Sequence, residues 1–157
     1  MSSTSIDTSM ATPEVGTIDM KLEVVTLPVS DVDRAKRFYQ SLGWRMDIDL
    51  VVSDDFRQVQ MTPPHSQCSI HFGKGLTAME PGSVERLYLA VKDIDAARED
   101  LVSRGVDVSE VEEQPKPPGF DLPGRSYFAY ASFRDPDGNG WLLQEVTTRF
   151  PGRVWED

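Results

Sequence analysis

The chain has 157 residues, 39% of them hydrophobic and 27% charged, which suits one compact soluble domain with a substantial core. Its 16 basic residues against 26 acidic ones give a net charge of −10, a surface that repels phosphate backbones and argues against a nucleic-acid partner. No apolar run approaches membrane-spanning length and no basic-then-apolar signal opens the chain, while the lone Cys68 excludes an intrachain disulfide, so a reducing cytoplasm is the expected compartment.

Residues 1–19 read as a flexible leader, with many Ser and Thr and little to bury. Residues 21–29 crowd β-branched side chains into a strand pattern. Ser30 or Asp31 can cap the helix that follows, in which Val32, Ala35, Tyr39 and Leu42 recur at helical spacing until Gly43 stops it. Strands are expected at 44–52, 56–61 and 69–72, separated by Asp54–Asp55 and Pro63–Pro64, so the first unit reads βαβββ.

After a linker at 74–83 the same order returns. Residues 89–105 repeat residues 27–43 with seven identities: Leu27/Leu89, Val29/Val91, Asp31/Asp93, Asp33/Asp95, Ala35/Ala97, Ser41/Ser103 and Gly43/Gly105. The second unit places strands at 84–91, 106–112, 127–133 and 141–146, with a helix over 93–104 that buries Ile94, Ala97 and Leu101. Residues 114–124 hold four prolines and two glycines, a stiff loop of connector or lid type. Asp135-Pro-Asp-Gly-Asn139 is a turn, with Gly where positive φ is needed. The domain division is therefore a leader at 1–19, one domain at 20–148 (modules 20–73 and 84–148 joined by 74–83) and a tail at 149–157. In that tail, Phe150 and Trp155 can dock on the body or on a second copy. The fold class is α+β: two βαβββ modules forming a curved mixed-sheet cup with helices outside.

Alternation along the strands divides core from cup. Val25, Leu27 and Val29, with Leu87, Leu89 and Val91, belong beneath the helices, as do Ile70, Phe72, Trp141 and Leu143. Leu22, Val24, Thr26, Ser69, His71, Val84, Arg86, Tyr88, Leu142 and Gln144 then fall on the other face. The facing of the third strand, with Gln58 and Gln60, stays open. An inward guanidinium at Arg86 would be buried and would need a carboxylate of the protein or an anionic ligand.

The segment Val29-Ser-Asp-Val-Asp-Arg-Ala-Lys-Arg-Phe-Tyr39, then Leu42-Gly43, and far downstream Phe133-Arg-Asp-Pro-Asp-Gly-Asn139, resembles the vicinal oxygen chelate superfamily over roughly residues 20–148. That group includes glyoxalase I, bleomycin-resistance proteins and extradiol dioxygenases. The resemblance implies the cupped fold, but this superfold hosts isomerases, dioxygenases, epimerases, transferases and pure drug binders. It also implies four metal-ligand positions in the metal-dependent members, which fall here at Val24, His71, Arg86 and Leu142; the repeat offset pairs Val24 with Arg86 independently. Valine and leucine cannot coordinate a cation, and arginine opposes one. No metal and no cofactor are expected.

Three functions follow. One is a metal-independent proton-transfer enzyme of isomerase or lyase type, with Arg86 holding an anionic oxygen and His71 or Tyr88 moving a proton. The second is a non-catalytic, bleomycin-resistance-like protein sequestering a small aromatic or planar compound. The third is a metal enzyme of glyoxalase or dioxygenase type that recruits unexpected ligands around His71. In each case Val24, Gln58, Gln60, Tyr130, Leu142 and Gln144 are the candidate contacts to the small molecule, and a homodimer is one way to build the cup. Asp31/Asp33 and Asp93/Asp95 are read as helix-start acids rather than paired catalytic carboxylates, and Cys68 as an inert thiol.

Overall fold

The protein is described from a computed structural model, which covers Ile6, residues 15–153 and Trp155. Most of the expected leader lies outside those residues. The first module contains β1 (Val24–Thr26), α1 (Val32–Ser41), β2 (Arg45–Ser53), β3 (Phe56–Thr62) and β4 (Ser69–Lys74). The second contains β5 (Leu87–Val91), α2 (Ile94–Ser103), β6 (Glu112–Glu113), β7 (Ala129–Arg134) and β8 (Gly140–Glu145). Each module makes a four-stranded mixed sheet, in the orders β1-β4-β3-β2 and β5-β8-β7-β6. The α+β class and the repeated βαβββ unit are as the sequence predicts.

The duplicated aspartates explain why the two helices start where they do. Asp31 and Asp93 sit in extended backbone at the N-caps, and each side chain accepts from the amide three residues on, at 3.0 Å. The second aspartate of each pair meets an arginine: Asp33 lies 3.0 Å from Arg57 and Asp95 lies 2.7 Å from Arg125. Gly43 and Gly105 end the helices in the left-handed region, at φ +85 and +88.

Three strands are shorter than their sequence patterns. Residues 21–29 yield only Val24–Thr26, although backbone bonds at Glu23 and Leu27 extend the pairing with β4. Pro28, lacking an N–H, turns its carbonyl to Gly82 and Asn139 instead. In the second module Arg86 adopts φ +61, so β5 begins at Leu87 rather than 84. The strand expected at 106–112 survives as Glu112–Glu113; upstream, Ser109 bonds the Ser132 amide through its side-chain oxygen and the Ser132 carbonyl through its own amide. Val106 and Val108 are still buried, so the apolar alternation was real while the ladder was not.

The modules meet through their helix-side faces. Tyr39 of α1 is fully buried among Trp44, Phe72 and Trp141, and Phe38 lies 6.4 Å from Phe133 of β7. A polar lock sits inside this apolar seam. Asp135 Oδ1 accepts from the amides of Asp137, Gly138 and Asn139 at 2.9–3.0 Å, and Oδ2 accepts from Tyr39 and Asn139 at 2.8 Å. Asn139 also donates to Pro28 O and accepts from the Val84 amide. The turn motif therefore fastens the end of the first strand and the linker to the second sheet.

Candidate functional site

Register fixes what alternation left open. Gln60 is directly opposite His71, which is opposite Thr26, while Val59 and Met61 point into the core, each 0% exposed. Gln58 therefore shares the His71 face too. Its amide lies 3.1 Å from His71 Nδ1, and His71 Nε2 lies 2.5 Å from the Thr26 hydroxyl. Both ring nitrogens are thus engaged. Burial pushes the His71 pKa below its ordinary value, so the ring is neutral near pH 7. Val24 faces Ser69 one step along the same face. Ser69, expected on this open face, is buried, because its hydroxyl is bonded to Thr62 at 2.7 Å.

One residue here escaped sequence reasoning. The β2–β3 register slips between Met46 and Ile48, and this bulge turns Asp47 towards Gln60 and Thr62, with Arg45 at 2.6 Å. Desolvation of the Asp47 carboxyl is outweighed by these hydrogen bonds and by the charge of Arg45, which together hold it below its usual range. Simple period-two counting cannot find a bulge.

The second module holds the other group. Tyr88 is opposite Leu142, and Gln144 is opposite Tyr130. Gln144 donates to the Tyr130 hydroxyl and to Tyr127 O, each at 3.2 Å, and the Tyr88 and Tyr130 rings meet edge to face at 6.5 Å. Arg86 differs from expectation. It is exposed rather than buried, its guanidinium lies 5.5 Å from the Tyr88 ring centroid, and it donates to the Tyr88 hydroxyl, with no carboxylate partner among the described residues. The left-handed backbone at Arg86 takes it out of the strand, which removes the burial that alternation assumed.

Within each module the expected residues do come together. Among the described residues, no hydrogen bond or ring contact joins the His71 group to the Tyr88 group. Two clefts lie near the junction of β5 with the tail. One, of about 490 Å³, is lined by Tyr88 together with Leu22, Pro64, Arg149 and Trp155; the other, of about 580 Å³, by Ala90, Asp93, Ala97 and Trp155. His71 lines neither.

A divalent cation does not fit the inherited positions. Val24 and Leu142 offer no side-chain donor atoms and Arg86 offers a fixed charge of the wrong sign, which leaves His71 as the single inherited position able to ligate. Among the described residues, no three His, Cys, Asp or Glu side chains converge in a way that could hold a metal. Cys68 is partly buried and its thiol pKa is raised by burial and by Glu23, the opposite of an activated nucleophile.

Two repeated βαβββ units, each a four-stranded mixed sheet with one helix, packed through their helix-side faces define the fold class. The chain belongs to the Glyoxalase/Bleomycin resistance protein/Dioxygenase superfamily, whose family model matches residues 21–143. Among solved structures it is similar to TnmS3, an antibiotic binding protein from Streptomyces sp. CB03234, with 30% identity, TM-score 0.67 and coverage of 83% of this chain and 99% of that one. A glyoxalase/bleomycin resistance protein from the same Streptomyces strain is 31% identical, with TM-score 0.61 over 79% of this chain and 99% of that one. A superfamily member from Sphaerobacter thermophilus DSM 20745 is 27% identical, with TM-score 0.64 over 81% and 98%. No curated protein matches the chain. Among the described residues, no helix is long and apolar enough to cross a membrane.

Proposed function

We propose that the protein binds and sequesters a small planar organic molecule without transforming it. The observation that carries this reading is the engagement of His71. With Nδ1 at the Gln58 amide, Nε2 at Thr26 and a lowered pKa, the neutral ring is fixed in place by its neighbours and carries no positive charge to give up as a general acid. Tyr88 is likewise held by Arg86. Amides at Gln58, Gln60 and Gln144 with the rings of Tyr88 and Tyr130 can orient a polar aromatic compound. The likeness to an antibiotic binding protein at 30% identity supports the same conclusion. The metal-independent isomerase or lyase reading would need His71 to leave its Thr26 or Gln58 partner in order to move a proton.

The cup is completed by a second copy of the chain. Supporting this, the two residue groups lie on different sheets whose seam faces are already filled, and β2 leaves Met46, Ile48 and Leu50 each at least 40% exposed. The protein should sediment as a dimer, and Ile48→Lys with Leu50→Lys should give a folded monomer. A monomeric parent protein would overturn the assembly.

Function is tested by titrating the full chain with a panel of aromatic antibiotics and recovering each compound afterwards. Binding with unchanged recovery, and a weaker affinity in His71→Ala, is expected. Conversion of a compound by the parent protein that His71→Ala abolishes would replace sequestration with catalysis. No binding across the panel would overturn both.

A further inference from the structure

The cleft of about 490 Å³ beside Tyr88 differs from the rest of the molecular surface in its charge. Its ionisable cations are Lys21, Arg149 and Arg153, and no Asp or Glu lines it among the described residues. In a chain of net charge −10 this is the reverse of the average environment. Among the described residues none of the three is in an ion pair, and the three converge on one cleft.

A second observation concerns Arg149 alone. Its guanidinium lies 4.2 Å from the Trp155 ring centroid, which fixes its place, and its Nε is buried with no hydrogen-bond partner among the described residues. An orphaned cationic N–H is costly unless an acceptor reaches it. Lys92 also approaches that ring, at 5.1 Å, and the indole N–H is itself satisfied by Val146 O at 3.1 Å, so Trp155 is a firm support. Leu22, Pro64 and Tyr88 supply an apolar wall across the cleft.

We propose that this cleft is a binding site for a planar small molecule bearing one negative charge, such as an aromatic carboxylate or sulfonate. Lys21, Arg149 and Arg153 meet the anionic group, and the wall of Leu22, Pro64 and Tyr88 covers the ring. The site needs neither His71 nor a second copy of the chain, and although it shares Tyr88 with the cup, its cations at 149 and 153 belong to this cleft.

The test uses two fluorescent probes on the full chain: anionic anilinonaphthalene sulfonate and uncharged N-phenylnaphthylamine. Replacing two guanidinium partners of an anion should weaken the sulfonate probe about tenfold in R149Q/R153Q, while the uncharged probe changes by less than about twofold. R149K/R153K, which keeps the charge, should stay within about threefold of the parent. If R149Q/R153Q loses its fold, K21Q on an exposed residue carries the test, with an expected weakening of about threefold. No sulfonate binding by the parent, equal affinity in the neutralised variants, or equal loss of both probes would overturn the proposal. A sulfonate site abolished by Leu142→Glu but untouched by R149Q/R153Q would place the probe in the cup and overturn it as well.

Discussion

Removing one oxygen, in Tyr39→Phe, tests the polar lock between the modules. The ring keeps its contacts with Trp44 and Phe72, at 5.2 and 5.6 Å between centroids, so the change is confined to the hydroxyl. That hydroxyl is fully buried, donates to Asp135 Oδ2 at 2.8 Å and accepts from Trp141 Nε1 at 3.0 Å. Losing a hydrogen bond to a buried carboxylate costs about 1.5–3 kcal/mol, and leaving the indole N–H without an acceptor adds about 1–3 kcal/mol. The gain from no longer burying a hydroxyl offsets part of this, so a net loss of about 3 kcal/mol is expected. For a domain of this size that is roughly 6–12 °C in Tm. Urea unfolding followed by circular dichroism should show a lower midpoint at an unchanged slope. The Tyr39→Phe/Asp135→Asn double variant should then be less damaged than the sum of its singles, because both changes break one bond. A loss below about 1 kcal/mol would mean that the seam rests on apolar packing alone and that the hydroxyl is replaceable by water.

Two further outcomes follow from single positions. Gly82 has φ +79, and a Cβ there would sit 2.0 Å from Asp137 O, so Gly82→Ala should lose well over the cost of left-handed backbone alone. Gly105→Ala, at φ +88 with open space around it, should lose only about 1–2 kcal/mol; equal losses by thermal melting would refute the close approach. The lowered His71 pKa means that the unfolded chain takes up a proton before the native one. Its contribution to stability is complete above the ordinary value of 6.5 and fades as pH falls through 6.5 towards the lower native value, so acidification should both loosen the fold and weaken cup binding. Proton NMR of the ring checks this, and a His71 resonance titrating at or above 6.5 would contradict it.

The sequence was most legible where one local rule acts alone. The repeated Asp-x-Asp marked both helix starts, and the structure chose Asp31 over Ser30 as the first cap, because an N-cap needs only a short acceptor side chain and free amides nearby. Apolar alternation placed Ile70, Phe72, Trp141 and Leu143 in the core, all at most 4% exposed. It failed where the backbone leaves the regular strand, with Arg86 at φ +61 solvent-exposed on the Tyr88 ring and Asp47 re-aimed by a bulge, and at Ser69, which stays in β4 but is buried with its hydroxyl on Thr62.

The chain by itself therefore determined the repeated unit, its helix boundaries, its core and the membership that its motifs signal, since each depends on neighbours within a few residues. Tertiary structure decided the rest. Residues 39 and 135 become partners only when the modules dock, Gln58 reaches His71 only through the β3–β4 register, and the cations at 21, 149 and 153 share a cleft only once both ends of the domain are folded together. The physical reason is range: caps and alternation are written in adjacent residues, whereas the relative placing of surfaces is set by the packing of a buried seam that no short segment contains.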